Sequence, residues 1–189
     1  SMPAELLRRA MQTFSHCGFA QAYGSTEAGV VSVLDPAAHQ RARQPSGEHL
    51  LQSCGRAFSR HMLRVVGANG QTLPNGDIGE IEVRSADLMQ GYWHNLAATQ
   101  AVLRDGWLKT GDLGRIDDEG YLYIVDRKND MVVTGGENVY PTEVESHLYR
   151  DSAVLEAAVF GVPDPVWVER VVAAVVLRPG VPGTPETAD

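Results

Sequence analysis

A chain of 189 residues, 43% of them hydrophobic and 21% charged, is long enough to bury a core in one or two domains. It carries 24 acidic against 16 basic residues, a net charge of -8, and its only lysines are Lys109 and Lys128. No polybasic run can neutralise a row of phosphates, so no nucleic-acid partner is expected. Cys17 and Cys54 stand far apart without metal-ligand spacing, which excludes a zinc cluster or a disulfide scaffold; one structural disulfide is the alternative to the plainer reading, reduced thiols of a cytoplasmic protein. No run approaches the length of a transmembrane segment, and residues 1–5 lack the basic-then-apolar order of a secretion signal. Ser1 ahead of Met2 reads as a residue left by tag removal and is kept out of fold reasoning.

Taken in chain order, Leu6, Leu7, Ala10, Met11 and Phe14 predict one apolar face on a short helix, with Pro3 near its first turn. A short strand over 19–23 follows and runs into the polar loop Gly24-Ser25-Thr26-Glu27-Ala28-Gly29. Strand ends of open α/β sheets expose backbone N–H groups with little steric screening, so ligands collect there. Residues 35–51 hold prolines, a glycine and little periodicity, and read as a loop with at most a helical turn. Strands over 62–66 and 79–84, joined by Asn-Gly and Asn-Gly-Asp turns, and a second hairpin around Asp117-Asp118-Glu119-Gly120 predict a mostly β section.

Beyond Asp126 the pattern changes to a charged link, a strand over 131–134, a Gly135-Gly136 turn and a helix opened by Pro141. Strands follow over 154–160 and 171–177, the second apolar enough to be central in its sheet. A small α/β domain is therefore expected from about residue 127. The tail after Pro179 has no apolar pattern and is expected to be frayed.

Four groups of residues can carry chemistry. Tyr23, Gly24, Ser25, Thr26 and Glu27 place an aromatic ring, two hydroxyls and a carboxylate within five residues. The ring can stack on a base, the Thr26 hydroxyl can meet a phosphate and Glu27 can hold Mg²⁺ on phosphate oxygens. The plainer alternative is a threonine that caps a nearby helix. In Thr110-Gly111-Asp112 a carboxylate beside glycines suits the two hydroxyls of a ribose, against the commoner role of a turn-forming aspartate. Arg127 and Lys128 can donate to a nucleotide from the rim of an interdomain cleft, or simply end a solvated strand. Gly135 and Gly136 admit a slender ligand or serve a hairpin turn. Trp93, Trp107, Trp167 and Tyr92 read as core or interface aromatics. The six histidines form no ligand or relay spacing, and no Ser-His-Asp triad can be assembled.

These motifs, in this order, resemble the later motifs of the adenylate-forming enzymes, and among them the fatty-acid or aryl-acid CoA ligases. The resemblance is carried by Tyr23-Gly24-Ser25-Thr26-Glu27, Gly91-Tyr92-Trp93, Thr110-Gly111-Asp112 and Asp126-Arg127-Lys128-Asn129-Asp130. It continues through Gly135-Gly136-Glu137-Asn138-Val139-Tyr140-Pro141 and Gly161-Val162-Pro163-Asp164 and covers nearly the whole chain. It implies a mixed α/β fold in three parts. Residues 1–52 would be the end of the large α/β nucleotide-binding domain, 53–126 a small β-barrel-like subdomain, and 127–189 part of the mobile C-terminal α/β domain.

Members of this family convert a carboxylic acid and ATP to an acyl-adenylate and pass the acyl group to coenzyme A, with Mg²⁺. The resemblance then implies that Tyr23, with Gly24, packs on adenine, that Thr26 contacts phosphate and that Glu27 assists the metal. Asp112 would take the ribose hydroxyls with Arg127 as a second contact, and Gly135 and Gly136 would line the CoA channel. The hinge of the small domain falls at Lys128 or Asn129. Relatives that load a carrier protein would look much the same, as would an inactive nucleotide-binding or interaction fragment.

The family's phosphate-gripping Thr/Ser/Gly loop and its late Gly-Lys segment do not occur in these residues. The chain is therefore expected to be a piece of such a ligase, inactive by itself. Surface that faces the rest of the enzyme would be exposed, which allows a homo-oligomer.

Overall fold

The computed structural model describes residues 4–181 and 183. The chain divides into two compact units, residues 1–125 and 126–189, each described by itself below.

The first unit opens with α1 (Ala4–Thr13). Leu7 and Met11, one helical turn apart, are buried, whereas Leu6 and Phe14 are more than half exposed. The buried stripe is thus narrower than the apolar periodicity suggested, and Pro3 lies outside the described residues. A hairpin of β1 (Gln21–Ser25) and β2 (Gly29–Leu34) follows, with β3 (Arg56–Ala57) added to β2. The strand thus begins two residues later than its apolar run suggested. Its polar loop is an antiparallel hairpin turn, not the end of a strand leading into a helix.

The stretch expected to be a loop is largely helical. Asp35 caps α2 (Pro36–Arg41), its Oδ1 accepting from the Ala38 N–H at 2.7 Å, and a 3-10 helix spans Pro45–Gln52. Both helices start on a proline, whose fixed φ suits a first helical position. With α1 they bury Leu7, Met11, Leu34, Leu50, Leu51, Tyr121 and Tyr123 in one cluster.

The second sheet of this unit has five strands, β4 (Met62–Val66), β5 (Gly79–Arg84), β6 (Leu103–Arg104), β7 (Trp107–Ile116) and β8 (Leu122–Arg127), the last two residues of β8 being counted with the second unit. Their order is β4-β5-β7-β6, with β8 also on β7, and the sheet curls into a half-barrel. A seven-residue helix, α3 (Leu96–Val102), precedes β6. Ile81, Val83, Leu108 and Leu122 from this sheet pack with Ala28 and Val31 from the first, and Tyr23 leans on the same cluster.

That shared core fixes where β1 and β7 meet. In β7 the pairing jumps from Glu82↔Lys109 to Glu80↔Leu113, so two more residues run along β7 than along β5. The excess is a bulge at 110–112, which lifts those residues out of the ladder. A smaller bulge lies beside Tyr23, where the register passes from Tyr23↔Ser32 to Gly24↔Val30.

In the second unit β9 (Val132–Thr134), β10 (Glu137–Val139), β11 (Val154–Asp164) and β12 (Val168–Leu177) form an antiparallel sheet in the order β10-β9-β12-β11. The apolar β12 is therefore internal, as its composition suggested. α4 (Pro141–Leu148) packs on β11, where Glu145 accepts from the Val159 N–H at 2.9 Å. Buried Asp126 fixes the start of α4, accepting from the Thr142 N–H at 3.0 Å. The tail expected to fray falls mostly outside the described residues. Among the described residues no helix is long and apolar enough to cross a membrane.

Candidate functional site

The two bulges bring together residues that lie 89 positions apart in sequence. The Tyr23 hydroxyl donates to Asp112 Oδ2 at 2.5 Å, a length typical of a strong O–H···O⁻ bond. Burial, and then the bond to Asp112, push the Tyr23 hydroxyl far above the usual tyrosine range, so it stays a donor. Thr110 fixes the backbone of the bulge: its hydroxyl donates to the Ile81 carbonyl at 2.9 Å and accepts from the Asp112 N–H at 3.1 Å. Between them Gly111 sits at φ +76° with open space where a Cβ would project, a conformation that a side chain would strain. The result is a half-buried ring and a carboxylate held side by side.

Gly24 has a different reason to be glycine. A Cβ there would lie 2.0 Å from the Gly29 carbonyl oxygen across the hairpin, so the turn itself demands it. The hairpin turn then presents Thr26, exposed, and Glu27, half-buried. No helix begins here, so Thr26 caps none. The internal bond of the turn is instead made by Ser25, whose Oγ accepts from the Ala28 N–H at 3.2 Å.

Tyr92, expected to be a core or interface aromatic, donates its hydroxyl to Glu27 Oε1 at 3.0 Å, and the Met89 N–H donates to the Glu27 carbonyl at 2.8 Å. The loop around Tyr92 is tied in turn to Thr99 of α3, whose Oγ1 accepts from the Tyr92 N–H at 2.9 Å. The carboxyl of Glu27 is held below the usual carboxylate range by its own backbone N–H and then by Tyr92, and the same bond raises Tyr92. Glu27 is therefore an ionised, partly accessible oxygen donor. Trp93, by contrast, is 89% exposed and belongs to no core.

Among the described residues no group of three or more His, Cys, Asp and Glu is arranged to hold a metal ion. A lone carboxylate such as Glu27 still fits Mg²⁺ in its commonest protein setting, one or two carboxylates with the remaining ligands from substrate phosphates and water. Cys54 is buried and Cys17 exposed, neither in a disulfide, and burial pushes the Cys54 thiol up, away from reactivity.

Arg127, Gly135 and Gly136 belong to the second unit. Arg127 is exposed at the end of β8. Gly135 and Gly136 form the β9–β10 turn at φ +59° and +89°. At Gly135 a Cβ would lie 2.9 Å from the Trp167 ring, whose backbone carbonyl also accepts from the Gly135 N–H at 3.0 Å; at Gly136 it would meet nothing within 4 Å. One glycine thus serves packing and the other leaves an open face.

The ring-and-carboxylate pair of Tyr23 and Asp112 and the hydroxyl-and-carboxylate turn of Thr26 and Glu27 both lie in the first unit. Comparison with known proteins identifies the family. The AMP-binding enzyme family matches residues 1–93 and the AMP-binding enzyme C-terminal domain matches residues 143–189. The chain belongs to the AMP-binding enzyme family. It is 41% identical over 183 residues to a feruloyl-CoA synthase of an Amycolatopsis species, covering 95% of this chain and 35% of that protein. It is 42% identical over 170 residues to the fatty acid–[acyl-carrier-protein] ligase ScoC of Streptomyces coeruleorubidus, covering 89% of this chain and 32% of that one. Among solved structures, the o-succinylbenzoate CoA synthetase of Bacillus subtilis in complex with its acyl-adenylate intermediate superimposes with a TM-score of 0.82. It is 35% identical and is matched over 95% of this chain and 35% of its own. The chain thus spans about a third of the length of the relatives it matches.

Proposed function

We propose that the chain is the nucleotide-reading section of an ATP-dependent acid–CoA ligase, and the single observation that carries this reading is the Tyr23–Asp112 pair. Residues 1–52 are the end of its large α/β domain, 53–126 the β subdomain and 127–189 part of the small domain that moves. An adenine lies on the Tyr23 ring beside Gly24, and Asp112 accepts hydrogen bonds from the ribose diol. Thr26 donates to the phosphate. Glu27, kept ionised by its own N–H and by Tyr92, would hold Mg²⁺, which would supply positive charge against the charge developing on the phosphate. The open face of Gly136, with Gly135, lines the approach of CoA.

The chemistry explains why such groups are needed. A carboxylate is a poor electrophile until one oxygen becomes a good leaving group, and joining it to AMP does that. Fixed donors that meet the growing phosphate charge stabilise the transition state without reorganising. The residues described here orient the nucleotide; they do not by themselves bring an acid to it. The similarity to an acyl-carrier-protein ligase favours a second reading on the acceptor side, in which a carrier-protein thiol replaces CoA.

Calorimetric titration of this chain with a non-hydrolysable acyl-adenylate analogue tests the reading. Saturable binding that is lost in Asp112→Ala is expected. Equal binding by the two proteins would refute the assignment of Asp112.

A further inference from the structure

Tyr23 and Asp112 are not merely neighbours of one ligand; the structure makes them a unit before any ligand arrives. A carboxylate on a bulge has no ladder partner to fix its orientation. Asp112 is half-buried, and its side-chain torsion decides whether its two oxygens face the place where a ribose edge would lie. One bond in hand fixes the backbone that carries this side chain, and another sets the torsion itself. Thr110 holds the Asp112 backbone through its N–H, and the Tyr23 hydroxyl donates to Oδ2 and so orients the carboxylate. Because the hydroxyl is at the edge of the ring, its bond leaves the ring face open to stack. An ionised carboxylate has about four lone-pair positions, so one donor from Tyr23 leaves room for two more on the same group.

We infer that the Tyr23 hydroxyl is a positioning group that holds Asp112 in the orientation accepting both hydroxyls of a ribose, so that base platform and diol acceptor act as one rigid adenosine reader. This rests on the proposed nucleotide reading of the site and adds a specificity role to a residue whose ring alone would account for base stacking. The buried environment supports it, since burial and the bond to Asp112 keep the Tyr23 hydroxyl protonated and so able to donate to the carboxylate. Freed of that bond, Asp112 would have to be ordered by the ligand, and the ordering would be charged against binding of the diol alone.

The test is equilibrium titration of the 189-residue chain with AMP and with 2′,3′-dideoxy-AMP, for wild type, Tyr23→Phe and Asp112→Ala. Wild type should prefer AMP about tenfold or more, as expected for losing hydrogen bonds to a charged acceptor. Tyr23→Phe keeps the ring and should bind the dideoxy nucleotide within about twofold of wild type, while its preference for AMP falls by about threefold or more. Asp112→Ala should lose the preference altogether. If Tyr23 served the fold alone, its variant would weaken both nucleotides equally and leave their ratio unchanged, which would overturn the inference while Asp112→Ala still upheld the ribose reading. A preference that survives Asp112→Ala would overturn the ribose reading and the inference with it, as would a wild-type chain that binds neither nucleotide. Amide hydrogen exchange of residues 107–116 in Tyr23→Phe supplies the folding control: protection at wild-type level with a lost preference supports the inference, and global loss of protection at an unchanged ratio counts against it.

Discussion

Val168 carries a conformation that its side chain opposes, and relieving it should stabilise the second unit. It opens β12 directly after the turn from Asp164 at φ +73°, where a β-branched residue is a true outlier. Holding a non-glycine residue there costs about 1–3 kcal/mol. The side chain is 68% exposed, so Val168→Gly forfeits only about 0.5–1 kcal/mol of apolar burial and about 0.5–1 kcal/mol of backbone entropy. The net gain is about 1 kcal/mol or less. A cleaner quantity is the difference between Val168→Gly and Val168→Ala, because both remove the same branched group and Ala still keeps its Cβ at positive φ. At an ordinary strand position Ala is more stable than Gly by about 0.5–1 kcal/mol; at this site the order should invert, with Gly ahead by about 1 kcal/mol. Amide hydrogen exchange across residues 154–177, read beside urea unfolding of each variant, measures that difference within the second unit. Ala more stable than Gly at position 168 would refute the reasoning.

Two further outcomes follow from the first unit. Burial, then the charge and hydrogen bond of Asp117 at 3.1 Å, raise Tyr123 to about 12. The folded state then holds a proton that the unfolded chain releases near pH 10. The Tyr123 contribution is complete below that pH and is lost as pH rises toward 12, so urea stability should decline through this window and decline less steeply in Tyr123→Phe; equal slopes would contradict it. Gly24→Ala should cost about 1–3 kcal/mol, because the obstructing atom is a backbone carbonyl, and should abolish binding of the acyl-adenylate analogue. Gly18→Ala, which would meet only Pro36 at 3.6 Å, is the neutral comparison in the same thermal melt.

Much of this architecture is legible in local pattern. The Asn-Gly and Asp-Asp-Glu-Gly turns mark the hairpins of the β section, the apolar run of β12 marks an internal strand and Pro141 marks the start of α4. The helices between 36 and 52 are harder to read. Their cue was Asp35 ahead of Pro36, a cap followed by a first-turn proline, yet the dense prolines and charges around it mask any apolar period. The site residues were legible as motifs, but not as a geometry. Whether Tyr23 reaches Asp112 depends on where two ladders slip register, and a bulge is a property of the partner strand as much as of its own sequence. The tie between Tyr92 and Glu27 spans 65 residues and leaves no local trace. A tyrosine in an apolar motif reads as packing until its hydroxyl is seen to find a carboxylate.

The central claim is that β1 and the bulge of β7 in the first unit present one adenosine reader. Two-dimensional ¹⁵N–¹H NMR of the chain titrated with AMP tests it most directly. The account predicts saturating shifts at Tyr23 to Glu27 and at Thr110 to Asp112 with one shared dissociation constant. Shifts confined to one of these segments, or two segments titrating with different constants, would contradict it.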